Sequence, residues 1–221
     1  DLPGHGFSSA PAGGERTIGA FATALQALIE YLAPATEPVP IGHSSGAAIA
    51  ARLVMDGRLA PGLLIGLNPA MVRLPGWQGR LFGPAARLLS GGPLLPRLLA
   101  LQARAPGSVE RLLASTGSGI DAGGVALYRR LLGNPAHISN VLKTMAQWDL
   151  DRLEADFPRL QCRSVLIHGA SDPLIRLADV QRLARRLPHG QCLGLPGLGH
   201  LAHEEDPEAV LTVLLPLLDT A

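Results

Sequence analysis

Gly42-His43-Ser44-Ser45-Gly46 stands between a short apolar run, Val39-Pro40-Ile41, and a run of small residues, Ala47-Ala48-Ile49-Ala50-Ala51. A serine bracketed as G-x-S-x-G, with strand signals before it and helix signals after it, is the pattern of a nucleophile elbow. Such a turn holds its serine in a strained backbone, so side chains two residues either side would collide with it, and Gly42 and Gly46 remove them. Ser44 is then lifted above the sheet edge, with the N–H of Ser45 and the helix N-terminus aimed where an oxyanion would form. His43, inside the elbow, is expected to line the pocket rather than act as base. A chain with 26 glycines can produce this motif as an ordinary turn; the flanking strand and helix signals favour the elbow.

A serine hydroxyl attacks an acyl carbon only when a base takes its proton, and a histidine base must be held in the right tautomer by an acid. After such an elbow the acid and the histidine follow in that order, on loops after later strands. Ser164-Val165-Leu166-Ile167 reads as a buried strand running into His168-Gly169-Ala170-Ser171-Asp172-Pro173. Asp172 is therefore the candidate acid. Cys192-Leu193-Gly194-Leu195 reads as another strand, followed by Pro196-Gly197-Leu198-Gly199-His200, which makes His200 the candidate base. The plainer readings are a turn or helix-start signal at Asp172-Pro173 and an idle loop histidine at His200. Asp149 and Asp151 are the reserve acids.

His203 and Glu204 lie close to His200, but no third ligand stands at a recognised zinc spacing, so neither a metal nor a cofactor is called for. His5, His137, His168 and His189 fall in turns or at a strand end, where loop packing accounts for them. Cys162 and Cys192 lack metal or redox spacing and read as buried thiols of a reducing compartment, without a disulfide.

These residues need a scaffold, and 221 residues with 47% hydrophobic content and a formal charge of +1 fit one α/β domain. The balance lacks the basic excess that nucleic acid demands. Ile18, Phe21, Leu25, Leu28, Ile29 and Leu32 recur on one helical face that ends at Pro34, and the elbow helix runs to about Asp56-Gly57. Leu63-Leu64-Ile65-Gly66-Leu67 is a buried strand, and alternation of helices with strands makes the sheet parallel. Residues 1–70 thus form the first part of an α/β core and 151–221 the second. Between them, 71–150 lose the strand rhythm and read as a helical lid, with helical pieces such as 81–101. The stripe Leu94, Leu95, Leu98, Leu99 and Leu101 is expected mainly to cover the core, with a substrate cavity or a membrane surface as alternatives. Arg87, Arg97 and internal prolines exclude a transmembrane helix. Asp206 and Pro207 start a last helix with Val210, Val213 and Leu214 inward. Asp1-Leu2-Pro3-Gly4-His5-Gly6-Phe7-Ser8 reads as a loop that follows a strand, so the first strands of the sheet are expected upstream.

The Asp-x-x-Gly-x-Gly loop at Asp1 to Gly6, the elbow at Gly42 to Gly46, Asp172 and Gly199-His200 together resemble the α/β-hydrolase fold over the whole chain except the lid. That resemblance implies a His-Gly loop upstream that supplies the second oxyanion N–H, without which the stretch given would not catalyse. Thr116-Gly117-Ser118, Gly124 to Tyr128, Asn134 to His137, Met145 to Leu150 and Gly197 to Glu205, with the elbow and its helix to Arg52, are similar to the magnesium-chelatase accessory proteins of bacteriochlorophyll synthesis. Ser45, where alanine is expected, and Pro173-Leu174-Ile175 depart from that pattern without touching Ser44, Asp172 or His200. The resemblance implies an ester or tetrapyrrole-pathway substrate, magnesium chelatase as partner, and a cytoplasmic place, at most peripheral to the photosynthetic membrane. A general serine esterase and a non-catalytic tetrapyrrole- or chelatase-binding module are the alternatives. With 4% aromatic residues the chain offers no evident stacking platform for a macrocycle.

Overall fold

The structure, a computed structural model, describes residues 1–10, 14–73, 92 and 94–220. Four parallel strands, β1 (Ile41–His43), β2 (Leu63–Leu67), β3 (Arg163–Gly169) and β4 (Gly190–Leu195), lie side by side in chain order. Ile41 pairs with Ile65, Ile65 with Val165, and Val165 with Gln191, so one register runs across the sheet. β1 begins one residue before the expected turn rather than at Val39. Pro40 has no N–H to give and joins the ladder only by accepting from the Ile65 N–H at 3.0 Å.

Side chains alternate across the two faces of the sheet. Leu64 and Leu166 point into a core shared with α1 (Ile18–Leu32), α2 (Ser45–Met55) and α8 (Leu177–Arg186), whereas Leu63, Ile65, Val165 and Ile167 meet Val210, Leu214 and Leu217 of α10 (Pro207–Leu218), which follows the short α9 (Ala202–Glu205). Three layers result. The small residues of the elbow helix serve this packing: Ala47, Ala48 and Ala51 are fully buried, and a Cβ on Gly66 would stand 3.5 Å from that of Ala47. Thr17 caps α1 and Asp206 caps α10, each through its side chain, and Pro207 opens the latter helix.

The periodic face of α1 is only half used. Ile18 and Phe21 are buried and Leu25 and Ile29 partly so, but Leu28 and Leu32 are exposed. The C-terminal half of the helix flanks an open cleft of about 340 Å³ beside β1, at the edge of the described sheet, instead of a packed neighbour.

Between β2 and β3 the described chain is helical: α3 (Leu94–Gln102), α4 (Ser108–Ala114), α5 (Ala122–Leu132), α6 (Pro135–Gln147) and α7 (Leu150–Ala155), then a 3-10 turn at Phe157–Arg159. The helical piece expected over 81–91, with Arg87, lies outside the described residues. The leucine stripe departs from expectation. Leu94, Leu98 and Leu101 are 67%, 52% and 62% exposed, because α3 turns Pro96 and Ala100 inward and packs on α6 with that face. Cys162, just before β3, and Cys192, within β4, are half-buried free thiols whose pKa burial raises. No described helix is long and apolar enough to cross a membrane.

Candidate active site

Ser44 links β1 to α2 with φ 51° and ψ −115°, a conformation that non-glycine residues rarely adopt. Hydrogen bonds hold it there. Its N–H donates to the Leu67 carbonyl at 2.9 Å, and its carbonyl accepts from the N–H groups of Ala47 and Ala70 at 3.2 and 3.0 Å. The two elbow glycines differ. A Cβ on Gly42 would strike the backbone of Gly46 and Ala47, whereas one on Gly46 would meet nothing within 4 Å among the described residues. Gly42 is thus demanded by the turn. The expected collision at Gly46 is absent, because its Cβ direction leads away from the β1–α2 contact into open space. Ser45, as the first helical residue, presents its N–H at the positive end of α2.

The loops after β3 and β4 bring Asp172 and His200 to the elbow. The Ser44 Oγ–H lies 3.1 Å from His200 Nε2, and the His200 Nδ1–H donates to Asp172 Oδ2 at 2.7 Å. The carboxylate can only accept, which places the proton on Nδ1 and leaves Nε2 with its lone pair toward the serine. Asp172 is buried, which pushes its pKa up. The His200 ring, the Asn68 amide and the Ile175 N–H outweigh burial and hold it below the usual carboxylate range. Its other oxygen accepts from the N–H groups of Leu174 and Ile175 at 2.7 and 3.1 Å. Asp149 and Asp151 are engaged elsewhere: the first caps α7, and the second pairs with Arg73.

Three groups to which the sequence assigned no role position this chain of bonds. Asn68, buried at the end of β2 with φ 44°, donates to Asp172 Oδ2 at 2.8 Å. An asparagine directly after a buried strand is the sequence signal that marks it, since asparagine tolerates the positive φ found there. Glu205 accepts from the Gly199 N–H at 2.8 Å and from the Gly119 N–H at 3.1 Å. Thr116 to Ser118, from the helical segment, grips the histidine loop from the other side. The His200 N–H donates to the Thr116 carbonyl at 3.0 Å, and the Leu201 N–H to Ser118 Oγ at 2.9 Å. Gly117, at φ 76°, lies so close to Ser171 and Pro173 that no side chain fits.

His43 lines the cleft beside β1, and its Nε2–H also donates to the His200 carbonyl at 2.9 Å. Its ring lies 5.0 Å from that of His200 and 4.4 Å from that of His203. Burial, reinforced by the neighbouring His203, lowers its pKa to about 4, so the ring is neutral at pH 7. His203 belongs to this stack, while Glu204 accepts from the Tyr128 hydroxyl at 2.6 Å. Among the described residues no three His, Cys, Asp or Glu side chains are grouped to hold a metal. His168 is buried, with its Nε2–H on the Ile175 carbonyl at 2.7 Å, and His137 accepts from the Gly6 N–H at 3.0 Å.

A second apolar cavity, about 330 Å³, lies within the helical segment between α3, α4, α5 and α6; Leu99, Val109, Leu132 and Ile138 line it. Ser44 borders neither cavity. The arrangement at Ser44 is suited to removing a proton from a hydroxyl as it attacks an acyl carbon, with Ser45 N–H and the start of α2 facing the developing negative charge.

Comparison with known proteins agrees with the architecture. The alpha/beta hydrolase family model matches residues 1–213. The putative lipase of Acinetobacter baumannii AYE superposes with a TM-score of 0.78 at 18% identity, over 100% of this chain and 73% of that one. An alpha/beta hydrolase fold protein from Burkholderia ambifaria gives 0.71 at 23% identity, over 97% and 78%. The magnesium-chelatase 30 kDa subunit of Rhodobacter capsulatus is 33% identical over 219 residues, 99% of this chain and 76% of that protein. The chain therefore belongs to the alpha/beta hydrolase family and, within it, groups with that magnesium-chelatase subunit.

Proposed function

We propose that this protein is a serine hydrolase acting on an ester or related acyl bond, in the service of magnesium insertion during bacteriochlorophyll synthesis. The hydrogen-bonded series Ser44–His200–Asp172 carries the reading. Ser44 Oγ attacks the acyl carbon as its proton passes to His200 Nε2, and Asp172 holds the imidazolium that forms. The leaving alcohol takes that proton, an acyl-serine remains, and water, deprotonated by the same nitrogen, releases the acid. Residues 71–150 serve as a lid over this site, between core parts 1–70 and 151–221. The pathway rests on the 33% identity to the Rhodobacter subunit. Magnesium chelatase is the partner that reading implies, with a cytoplasmic place of action.

That relative is named as a subunit, which favours a second reading in which the fold binds the chelatase or a tetrapyrrole and Ser44 is inherited architecture. A fluorophosphonate probe on the full-length protein separates the two: a hydrolase is labelled at Ser44, and His200→Ala abolishes labelling in a folded protein. Deletion of the gene in a pigmented host should lower bacteriochlorophyll and raise metal-free protoporphyrin. Restoration by Ser44→Ala would then assign the binding role, and failure of that variant at normal protein level the hydrolytic one.

A further inference from the structure

Charge is divided unevenly along this chain. Residues 71–150 carry nine Lys and Arg against three Asp and Glu, and the remainder ten against fifteen. The basic part also turns several leucines outward. Leu94, Leu98 and Leu101 of α3 recur at helical spacing on one exposed ridge, opposite the buried Pro96 and Ala100. Arg97 is exposed at the margin of that ridge and Arg104 in the turn just after it, and neither has an ion-pair partner among the described residues. On the next helix Leu112 is 50% exposed and Arg111 is exposed.

We propose that the α3 ridge is a docking surface for an anionic lipid bilayer, with Leu94, Leu98 and Leu101 entering the interfacial layer and Arg97 and Arg104 meeting lipid phosphates. Convex leucines rimmed by exposed arginines fit such a surface: the headgroup layer admits apolar side chains without a shaped pocket, and its negative charge attracts the rim. An acidic protein would satisfy the arginines but would have to provide a groove for the leucines. The acidic remainder of the molecule is repelled by the same charge, which turns the α3 side toward the membrane. The proposal is independent of the chemistry at Ser44.

Flotation of the protein with vesicles tests it. Vesicles of phosphatidylglycerol and phosphatidylcholine should carry the protein upward, and pure phosphatidylcholine vesicles should bind it about tenfold less or more weakly still. Leu94→Ser/Leu98→Ser/Leu101→Ser should lower binding by at least about tenfold. Arg97→Glu/Arg104→Glu should lower it similarly at low salt and little at high salt. Thermal unfolding of both variants checks that these exposed changes leave the fold intact. Unchanged binding by both variants, or equal binding to neutral vesicles, overturns the proposal. Retention on polyglutamate without vesicle binding overturns it in favour of an acidic protein partner.

Discussion

The sheet and its loops hold Ser44 in a network where almost every polar group has a stated partner, while the helical segment between β2 and β3 leaves long leucines in solvent. Around Ser44, Asp172 has its oxygens on His200, Asn68, Leu174 and Ile175, and the histidine loop is gripped from two sides. On α3, Leu94, Leu98 and Leu101 touch little. Strands buried on both faces spend their apolar side chains on the core and deliver polar ones only at their ends, which is where geometry must be held. A helix needs one inward stripe, so its other faces are free for solvent or for another surface.

The sharpest break in this contrast is His200→Ala. Fluorophosphonate labelling of Ser44 should fall by about 10³-fold or more, since the hydroxyl loses its proton acceptor, whereas Leu98→Ala should leave labelling unchanged. Unfolding free energy should separate the regions next. Leu64→Ala, in a fully buried position, should cost about 3 kcal/mol, and Leu98→Ala less than about 0.5 kcal/mol, by denaturant titration. Equal costs would mean that α3 is packed as firmly as the sheet. Asn68→Ala should cost about 2 kcal/mol, because a buried carboxylate loses a donor, and should slow labelling by about tenfold. That combination distinguishes a residue that positions Asp172 from one that only packs.

Acid supplies the smallest effect. His43 is held at about 4 in the folded protein, below its unfolded value near 6.5. The unfolded chain therefore binds more protons between those values, and stability is present above about pH 6.5 and falls as pH drops toward 4. Burial lowers His5, His137 and His203 as well, in the same sense. Thermal unfolding at stepped pH should show a loss of about 1–2 kcal/mol by pH 5, and His43→Asn should flatten the slope. A slope unaltered by that change would mean that the ring binds protons equally in the folded and the unfolded chain.

Ser44, Asp172 and His200 could be singled out in the sequence because each is announced locally: a serine between glycines, an aspartate after a β-branched run, a histidine ending a glycine loop. The last helix was legible for the same reason, since Asp206 and Pro207 mark its start within two residues. Periodicity misled where it says which residues share a face but not what that face meets. Leu28 and Leu32 share the stripe of Ile18 and Phe21, yet no neighbour covers that end of α1; the α3 stripe points away from the body because α6 takes the other side.

The sequence by itself determined the alternation of strands and helices, the elbow and the order of its partners, because these follow from patterns spanning a few residues. Only the tertiary structure decided that Asn68 serves Asp172, that Thr116 and Ser118 hold the backbone of the histidine loop, and that Gly42 rather than Gly46 is required by the turn. The first two are contacts between segments tens of residues apart, and the third turns on where the Cβ of each glycine would point. No local propensity encodes a hydrogen bond whose donor and acceptor meet only after the sheet has formed.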